Sequence, residues 1–261
     1  MHISIHPSAN VHPKAVLADN VSVGAFTTVE EDVIVGEGTR IDSNVLIAKG
    51  ARIGRECKIF HGAVIGTDPQ DLKFGGEYST TEIGDFTILR EYSTIHRGTK
   101  ARGKTSVGNH CYIMAYVHVA HDCALQDYVI LSNAVNMAGH VNIEDHAIVG
   151  GMTPIHQFVR IGRHSMIGGG FRVSKDVPPY ALAGQEPLAF QGLNSVGLRR
   201  RNFSAEVIEG LEKMYKIIYF SNYNVTQALE VISQEKNLSK EMIHVYDFIL
   251  ASTRGIIPGR K

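Results

Sequence analysis

The sequence predicts an all-β parallel β-helix built of hexapeptide repeats, followed by an α-helical C-terminal domain. Three observations carry that prediction. An aliphatic residue recurs every six positions through the first two thirds of the chain. A small or modest residue stands two before most of these positions. Beyond Pro178 and Pro179 the apolar spacing changes to the three-and-four rhythm of a helix face.

The six-residue phase starts at Ile5 and Val11 and runs without a miss to Ile65. It resumes at Ile83, Leu89 and Ile95, and again from Val107 through Met137 to Val173. Aliphatic residues are roughly a quarter of an ordinary chain, so chance does not give this run. Nor is it an amphipathic helix, because six is not a multiple of about 3.6. Each hexad supplies one short strand and one turn, and three hexads complete a coil. Residues 18 apart therefore stack on adjacent coils, at about the 4.8 Å spacing of neighbouring strands. The aliphatic residue points inward. The residue two before it, such as Ala9, Ala15, Thr27, Val33 or Ala63, fits the crowded corner. Gly24, Gly36, Gly54, Gly66, Gly84 and Gly108 follow an inward residue and are expected to supply the positive φ of a tight turn.

The phase fails at Asp71, Glu77 and Ala101, so two segments, 67–82 and 97–106, are expected to leave the coil. Long loops on a rigid prism are not needed for folding and are candidates for substrate contact. Pro178 and Pro179 are expected to end the strand pattern. After them Ser204 can cap a helix carrying Val207, Ile208, Leu211, Met214, Ile217 and Ile218 on one face. Asn224 can cap a second, with Ala228, Val231 and Ile232, and Ser239 a third, with Met242, Val245, Phe248 and Ile249. The predicted domains are 1–179, the β-helix, and 180–261, the helical domain, whose helices fall at roughly 190–256.

Composition narrows the classes. Lys+Arg and Asp+Glu number 26 each, so there is no net charge to drive bulk capture of nucleic acid. The 3 cysteines, Cys57, Cys111 and Cys123, do not form a disulfide framework. All three stand two before an inward residue and read as small core side chains. The N-terminal stretch has neither the charged nor the apolar region of a signal peptide, and no segment approaches a bilayer span. The expected compartment is the cytoplasm.

The stretch "AYVHVAHDCAL" holds His118, His121 and Asp122. In the unbroken run from 107, Gly139 stacks on His121 and His140 on Asp122, while His156 shares the same face one coil further on. His110, His146 and His164 fall at a turn position on a different face, so a file of histidines can arise there without chemistry. A neutral histidine held by a carboxylate is a general base. A glycine beside it leaves a backbone N–H open to a developing oxyanion. The chemistry that fits is acyl transfer to a hydroxyl from an activated thioester, with no covalent enzyme nucleophile. A zinc site needs three or four ligands about 2.0–2.1 Å from one ion. His121, His140 and His156 climb the coil, so the outer two would be about 10 Å apart on one subunit. A zinc site shared between subunits, as in the hexapeptide-repeat carbonic anhydrases, stays open, as does a non-catalytic β-helix scaffold.

The strings "QDLKFGGEYS", "TIHRGT", "HVAHDC", "MAGHV", "GGMTPIHQF", "KDVPPYALAGQ", "GLNSVGLRRRNFS" and "ASTRG" run almost the length of the chain. Together they resemble the hexapeptide-repeat acyltransferases that acylate UDP-N-acetylglucosamine in lipid A synthesis. The resemblance implies a left-handed β-helix and a homotrimer with active sites between subunits. It implies transfer of an (R)-3-hydroxyacyl group from acyl carrier protein to the sugar 3-OH, with no cofactor beyond the donor's own phosphopantetheine and no stable membrane insertion. The family's general base falls on His121 with Asp122 behind it, and its oxyanion N–H on Gly139. Its sugar and diphosphate contacts fall on Asp71, Lys73, His118, His140, His156 and Gln157, its uridine-end contacts on Asn194 and Arg200, and its acyl-chain ruler on Gly169. Val196 stands where family members often carry an acidic residue, so one ribose contact is not implied. An extra N-terminal uridine-binding domain, as in the related N-acyltransferases, is not expected, because the repeat begins by Ile5. A 3-amino sugar nucleotide remains an alternative acceptor.

Overall fold

The computed structural model describes residues 3–260. Three parallel sheets form the faces of a triangular coil: sheet A begins at Ser4–Ile5, sheet B at Asn10–Val11 and sheet C at Val16–Leu17. Most strands are two residues long, and the chain visits A, B and C in turn. Pairing is in register at 18 residues wherever no loop intervenes, as in Ser22 with Arg40 and His118 with Asn136. The architecture is a left-handed parallel β-helix with helices appended.

From Val23 onward every in-phase aliphatic residue is buried, none above 4% exposed. The first coil has nothing beneath it among the described residues, and Ile5 is accordingly 44% exposed. Each inward Val, Ile or Leu contributes about 1.5–3 kcal/mol by leaving water. The column two before is equally buried, with Val21, Thr27, Val33, Thr39 and Cys57 all at 0% exposure. The three cysteines are free and buried there. Burial pushes the Cys57 thiol up to about 11 and those of Cys111 and Cys123 to about 12.

Positive φ lies elsewhere than expected. It recurs at the third residue after most inward aliphatics, at Phe26, Asp32, Asn44, His110, Asp122 and His140 among others. Of the glycines that directly follow an inward residue, Gly66 has positive φ; Gly24, Gly36, Gly54, Gly84 and Gly108 do not. Their reason is close approach: a Cβ on Gly36 would lie 2.6 Å from the backbone of Gly54 and Arg55, and one on Gly84 equally close to Gly108. The coils are too tightly stacked at that corner for a side chain.

The phase breaks where the chain leaves the prism, at residues 68–79 and 97–103, and the strands resume at Thr80 and Lys104, earlier than the sequence pattern predicts. Nor does the proline pair end sheet A. Ala181–Gly184 pairs in parallel with Met166–Ile167, and Ala189–Leu193 returns antiparallel against it. Strand structure thus crosses the expected boundary at 179 and reaches 193, because prolines just before a strand forfeit no ladder N–H. Helix α1 (Ser195–Arg200) has no counterpart in the sequence prediction: it buries only Leu198, so it has no periodicity to read. Helices α2 (Ala205–Phe220), α3 (Val225–Ser233) and α4 (Lys240–Leu250) are capped by Ser204, Asn224 and Ser239. They dock on the coil through the Arg160 guanidinium, 4.2 Å over the Phe248 ring, and through His244 Nε2, 2.7 Å from Glu144 Oε2. Among the described residues no helix is long and apolar enough to cross a membrane.

Candidate active site

Both excursions leave the coil at one corner, between sheets B and C, on successive coils. The next three turns at that corner carry His121–Asp122, Gly139–His140 and Gln157–Phe158. The result is a cleft of about 710 Å³ between the first loop and the stacked turns. It is lined by Asp71, Leu72 and Lys73 from the loop and by His118, His121, Gly139, His140 and Gln157 from the coil.

Asp122 is fully buried. A bare carboxylate there would be costly, and the structure surrounds it with donors. The backbone N–H groups of Thr99 and Arg102 donate to Oδ1 at 3.0 and 3.2 Å. The Thr99 hydroxyl donates to Oδ2 at 2.8 Å, and His121 Nδ1 lies 2.8 Å from the same oxygen. Burial pulls the Asp122 carboxyl up, but the hydrogen bonds from His121 and Thr99 outweigh it and hold it below the usual range. The carboxylate is therefore ionised and can only accept, so His121 carries its proton on Nδ1. In the neutral imidazole Nε2 is then the nitrogen with the lone pair.

Gly139 explains its own presence. A Cβ there would lie 2.6 Å from His121 Cε1 and 2.7 Å from Nε2, inside the imidazole's space. Its N–H makes no hydrogen bond within the described residues. His140 crosses His121 edge to face at 5.2 Å and stacks on Phe158 at 4.5 Å. Its Nε2 is 3.7 Å from Asp122 Oδ2, beyond a hydrogen bond. Burial lowers the pKa of His140, with Asp122 pulling the other way, and burial lowers that of His118, helped by His121. His118 Nδ1 is fixed by Thr94 Oγ1 at 2.7 Å.

The remaining predicted residues lie outside that lining. His156 is exposed, its Nδ1 3.1 Å from the Gln157 carbonyl. Asn194 caps α1 by accepting from Gly197 N–H, and its Nδ2 donates to the His164 carbonyl at 2.9 Å. Arg200 is exposed in the last turn of α1. Gly169 is exposed, and a Cβ on it would lie 2.9 Å from the Gly151 carbonyl oxygen, so coil stacking alone demands a glycine there. The Phe171 ring lies against Gly168 and Gly184 instead of over Gly169. Cys123 points into the core, away from the cleft.

His121, Asp122 and His140 hold ligand atoms within 4.8 Å of one another, a set without His156. All of about four lone-pair positions on Asp122 are already filled by N–H and O–H donors, which a cation would have to displace. A second cavity of about 750 Å³ runs along sheet C, where Arg52, Glu82, Asp145 and Arg163 are held in ion pairs.

Two residues that shape the site carry no signal in the six-residue pattern. His96 is buried beneath the cleft and meets His118 edge to face at 4.8 Å. Burial, with help from His118 and His121, drives its pKa down to about 4. Thr99 lies in the second excursion, which holds Asp122 from behind instead of lining the cleft. Both stand across a break in the six-residue phase, where stacking cannot be counted.

Residues 176–257 match the family described as UDP N-acetylglucosamine O-acyltransferase, domain 2. A Thiobacillus denitrificans acyl-[acyl-carrier-protein]–UDP-N-acetylglucosamine O-acyltransferase is 42% identical over 255 residues, 97% of this chain and 99% of its own length. The solved structure of LpxA, a UDP-N-acetylglucosamine acyltransferase from Bacteroides fragilis, is 47% identical and superposes with a TM-score of 0.95 over 97% of this chain and 99% of its own. An Arabidopsis UDP-N-acetylglucosamine acyltransferase superposes at 0.85 with 32% identity, over 97% and 99% of the two chains. At this identity and over nearly the full length of these relatives, the chain belongs to the acyl-[acyl-carrier-protein]–UDP-N-acetylglucosamine O-acyltransferase family.

Proposed function

We propose that this protein transfers an (R)-3-hydroxyacyl group from acyl carrier protein to the 3-hydroxyl of UDP-N-acetylglucosamine, the first step of lipid A biosynthesis, with His121 as general base. The observation that carries this reading is the His121–Asp122 pair at 2.8 Å, with the Nε2 side of the imidazole facing the side-chain-free turn of Gly139. Asp122 fixes the tautomer, so Nε2 takes the proton from the sugar hydroxyl as its oxygen attacks the thioester carbonyl. The tetrahedral oxyanion forms beside the open Gly139 N–H. Collapse expels the phosphopantetheine thiol, which recovers the proton from Nε2. The other lining histidines, His118 and His140, stay neutral at neutral pH, since burial lowers both, and they serve as hydrogen-bond partners to the sugar nucleotide.

Asp71, Lys73, His118, His140 and Gln157 contact the sugar and diphosphate from the cleft walls, joined by the exposed His156 next to Gln157. Asn194 and Arg200 take the uridine end, and Gly169, at the ruler position, leaves room for a longer acyl chain than a bulky residue would. None of these three lines the cleft of its own chain, which supports a homotrimer whose sites are completed by a neighbouring subunit. The run Arg199–Arg200–Arg201 suits an acidic carrier protein or a diphosphate. No cofactor is needed, and a cytoplasmic location fits the three free cysteines. Incubation with 3-hydroxyacyl carrier proteins and UDP-N-acetylglucosamine, alongside its 3-amino analogue, tests this by mass spectrometry. O-acylated product supports the reading; product from the amino analogue alone sinks it.

A further inference from the structure

The second excursion, 97–103, reaches Asp122 through three contacts, and one of them is made by a side chain. Thr99 is 5% exposed. Its hydroxyl accepts from the Ala101 N–H at 3.2 Å and donates to Asp122 Oδ2 at 2.8 Å. The Ala101 bond occupies a hydroxyl lone pair and aims the single proton at the carboxylate. Oδ2 then has two donors, Thr99 Oγ1 and His121 Nδ1, while Oδ1 has the N–H groups of Thr99 and Arg102. A second imidazole waits close by: His140 Nε2 is 3.7 Å from Oδ2. Two histidines face one carboxylate oxygen, and only one is bonded to it.

We propose that Thr99 is the positioning residue that decides between them. Its hydroxyl fills the lone pair that His140 would otherwise take and holds the carboxylate turned toward His121. The tautomer of His121 is locked, and His140 stays free to serve the substrate. The proposal rests on the reading of His121 as the base, but the link from Thr99 to Asp122 can be tested without it. The loop that carries Thr99 is itself clipped to the substrate loop, by Arg97 to Asp68 at 2.6 Å and by the Lys100 N–H to Glu77 at 2.9 Å. The same segment therefore ties the cleft wall to the carboxylate.

The experiment compares Thr99→Val, which deletes the hydroxyl and keeps the shape, with Thr99→Ser, which keeps the hydroxyl. Thr99→Ala stands in should the valine variant fail to assemble. In the hydroxyl-less variant kcat is expected to fall about tenfold, with KM for the acyl donor within about twofold. The acid limb of the pH profile should move to lower pH, because a carboxylate that His140 shares, and that is no longer held turned toward His121, stabilises the proton on His121 less. Thr99→Ser should restore both to within about twofold of the parent. In an Asp122→Asn background the Thr99 substitution should cost less than about twofold, since the carboxylate shared between the two histidines is gone. An unmoved or upward-moving acid limb, a serine variant as impaired as valine, or an undiminished cost in the Asp122→Asn background would each overturn the proposal. Activity surviving in His121→Ala overturns the base assignment instead, and the Asp122→Asn comparison still reports on Thr99.

Discussion

At the corner between sheets C and A, His110, His146 and His164 occupy the turn position that His140 holds at the corner between B and C. All four have φ between 53° and 63°. At the C/A corner the rings pile into one file with their aromatic neighbours: Phe86 on His110 at 4.8 Å, then Tyr128, His146 at 4.6 Å and His164 at 4.7 Å. Every turn of that file carries a ring, and among the described residues no carboxylate bonds to one of its imidazoles. At the B/C corner the file is interrupted by Asp122, and the neighbouring column carries His121 under a glycine. The coil makes positions for stacked side chains cheaply. What turns one corner into a candidate active site is a buried carboxylate with its donors and a missing side chain next to the imidazole.

The widest separation between the corners should appear on removing one histidine from each. His121→Ala is expected to lower acyl transfer by about 10³ or more while leaving the unfolding midpoint near the parent's. His146→Ala should keep activity within about twofold and lose about 1 kcal/mol of stability, the scale of a stacked aromatic pair. Parallel turnover assays and denaturant unfolding check both. Retention of more than a few per cent of activity in His121→Ala would erase the functional distinction.

Gly139→Ala is the next largest effect. At the equivalent place on the C/A corner stand Asn109, Asp127, Asp145 and Arg163, so the turn itself accepts side chains. At 139 a methyl must push the His121 ring away from a point 2.6 Å distant. A displacement of that size is expected to cost about 10² in kcat, with the fold retained. Steady-state kinetics beside a melting curve separates it from simple misfolding.

Much of this corner is legible in the amino-acid sequence. Inward residues, the cysteine column and the stacking of Gly139 on His121 and of His140 on Asp122 follow from counting in sixes, because in a coil sequence distance maps directly to height. That mapping fails wherever the chain leaves the coil. Val64 pairs with Thr94, 30 residues on, and Thr94 with His118, 24 on. Counting therefore does not show that both loops and the dyad share one corner, nor does it bring Thr99 to Asp122 or His96 beneath His118. The positive-φ turns differ from expectation for another reason. Glycine signals both conformational freedom and close approach, and the sequence does not say which applies.

The C/A file should also set the protein's response to acid. Burial drives the His164 pKa down to about 3, with His146, Arg201 and Arg163 adding repulsion, and burial lowers His146 as well. A histidine depressed in the folded state binds fewer protons there than in the unfolded chain. Its stabilising contribution is complete above about pH 6.5 and is lost as pH falls from there toward 3. His96, at about 4, adds in the same direction. Thermal midpoints should decline from pH 7 to 5, and His164→Phe, which keeps a ring in the file, should remove about half of that slope or more. A slope unchanged in His164→Phe would shift the acid response to other groups, the Glu144–His244 contact among them.

The smallest effect is expected one residue from the dyad. Cys123 follows Asp122 directly, yet it is 1% exposed inside the coil, with its thiol pushed up to about 12 and donating to the Ala138 carbonyl at 3.3 Å. Sequence adjacency puts it in the cleft, whereas the inward column puts it in the core. Cys123→Ala should cost about 1–2 kcal/mol of stability through lost packing and leave acyl transfer within about twofold. Denaturant midpoints and turnover rates measured on one preparation decide it. A rate loss as large as that of Gly139→Ala would mean that core packing at this corner reaches the imidazole through Asp122. The corner would then work as one unit from core to cleft, unlike the C/A file, where a lost ring should be felt only as stability.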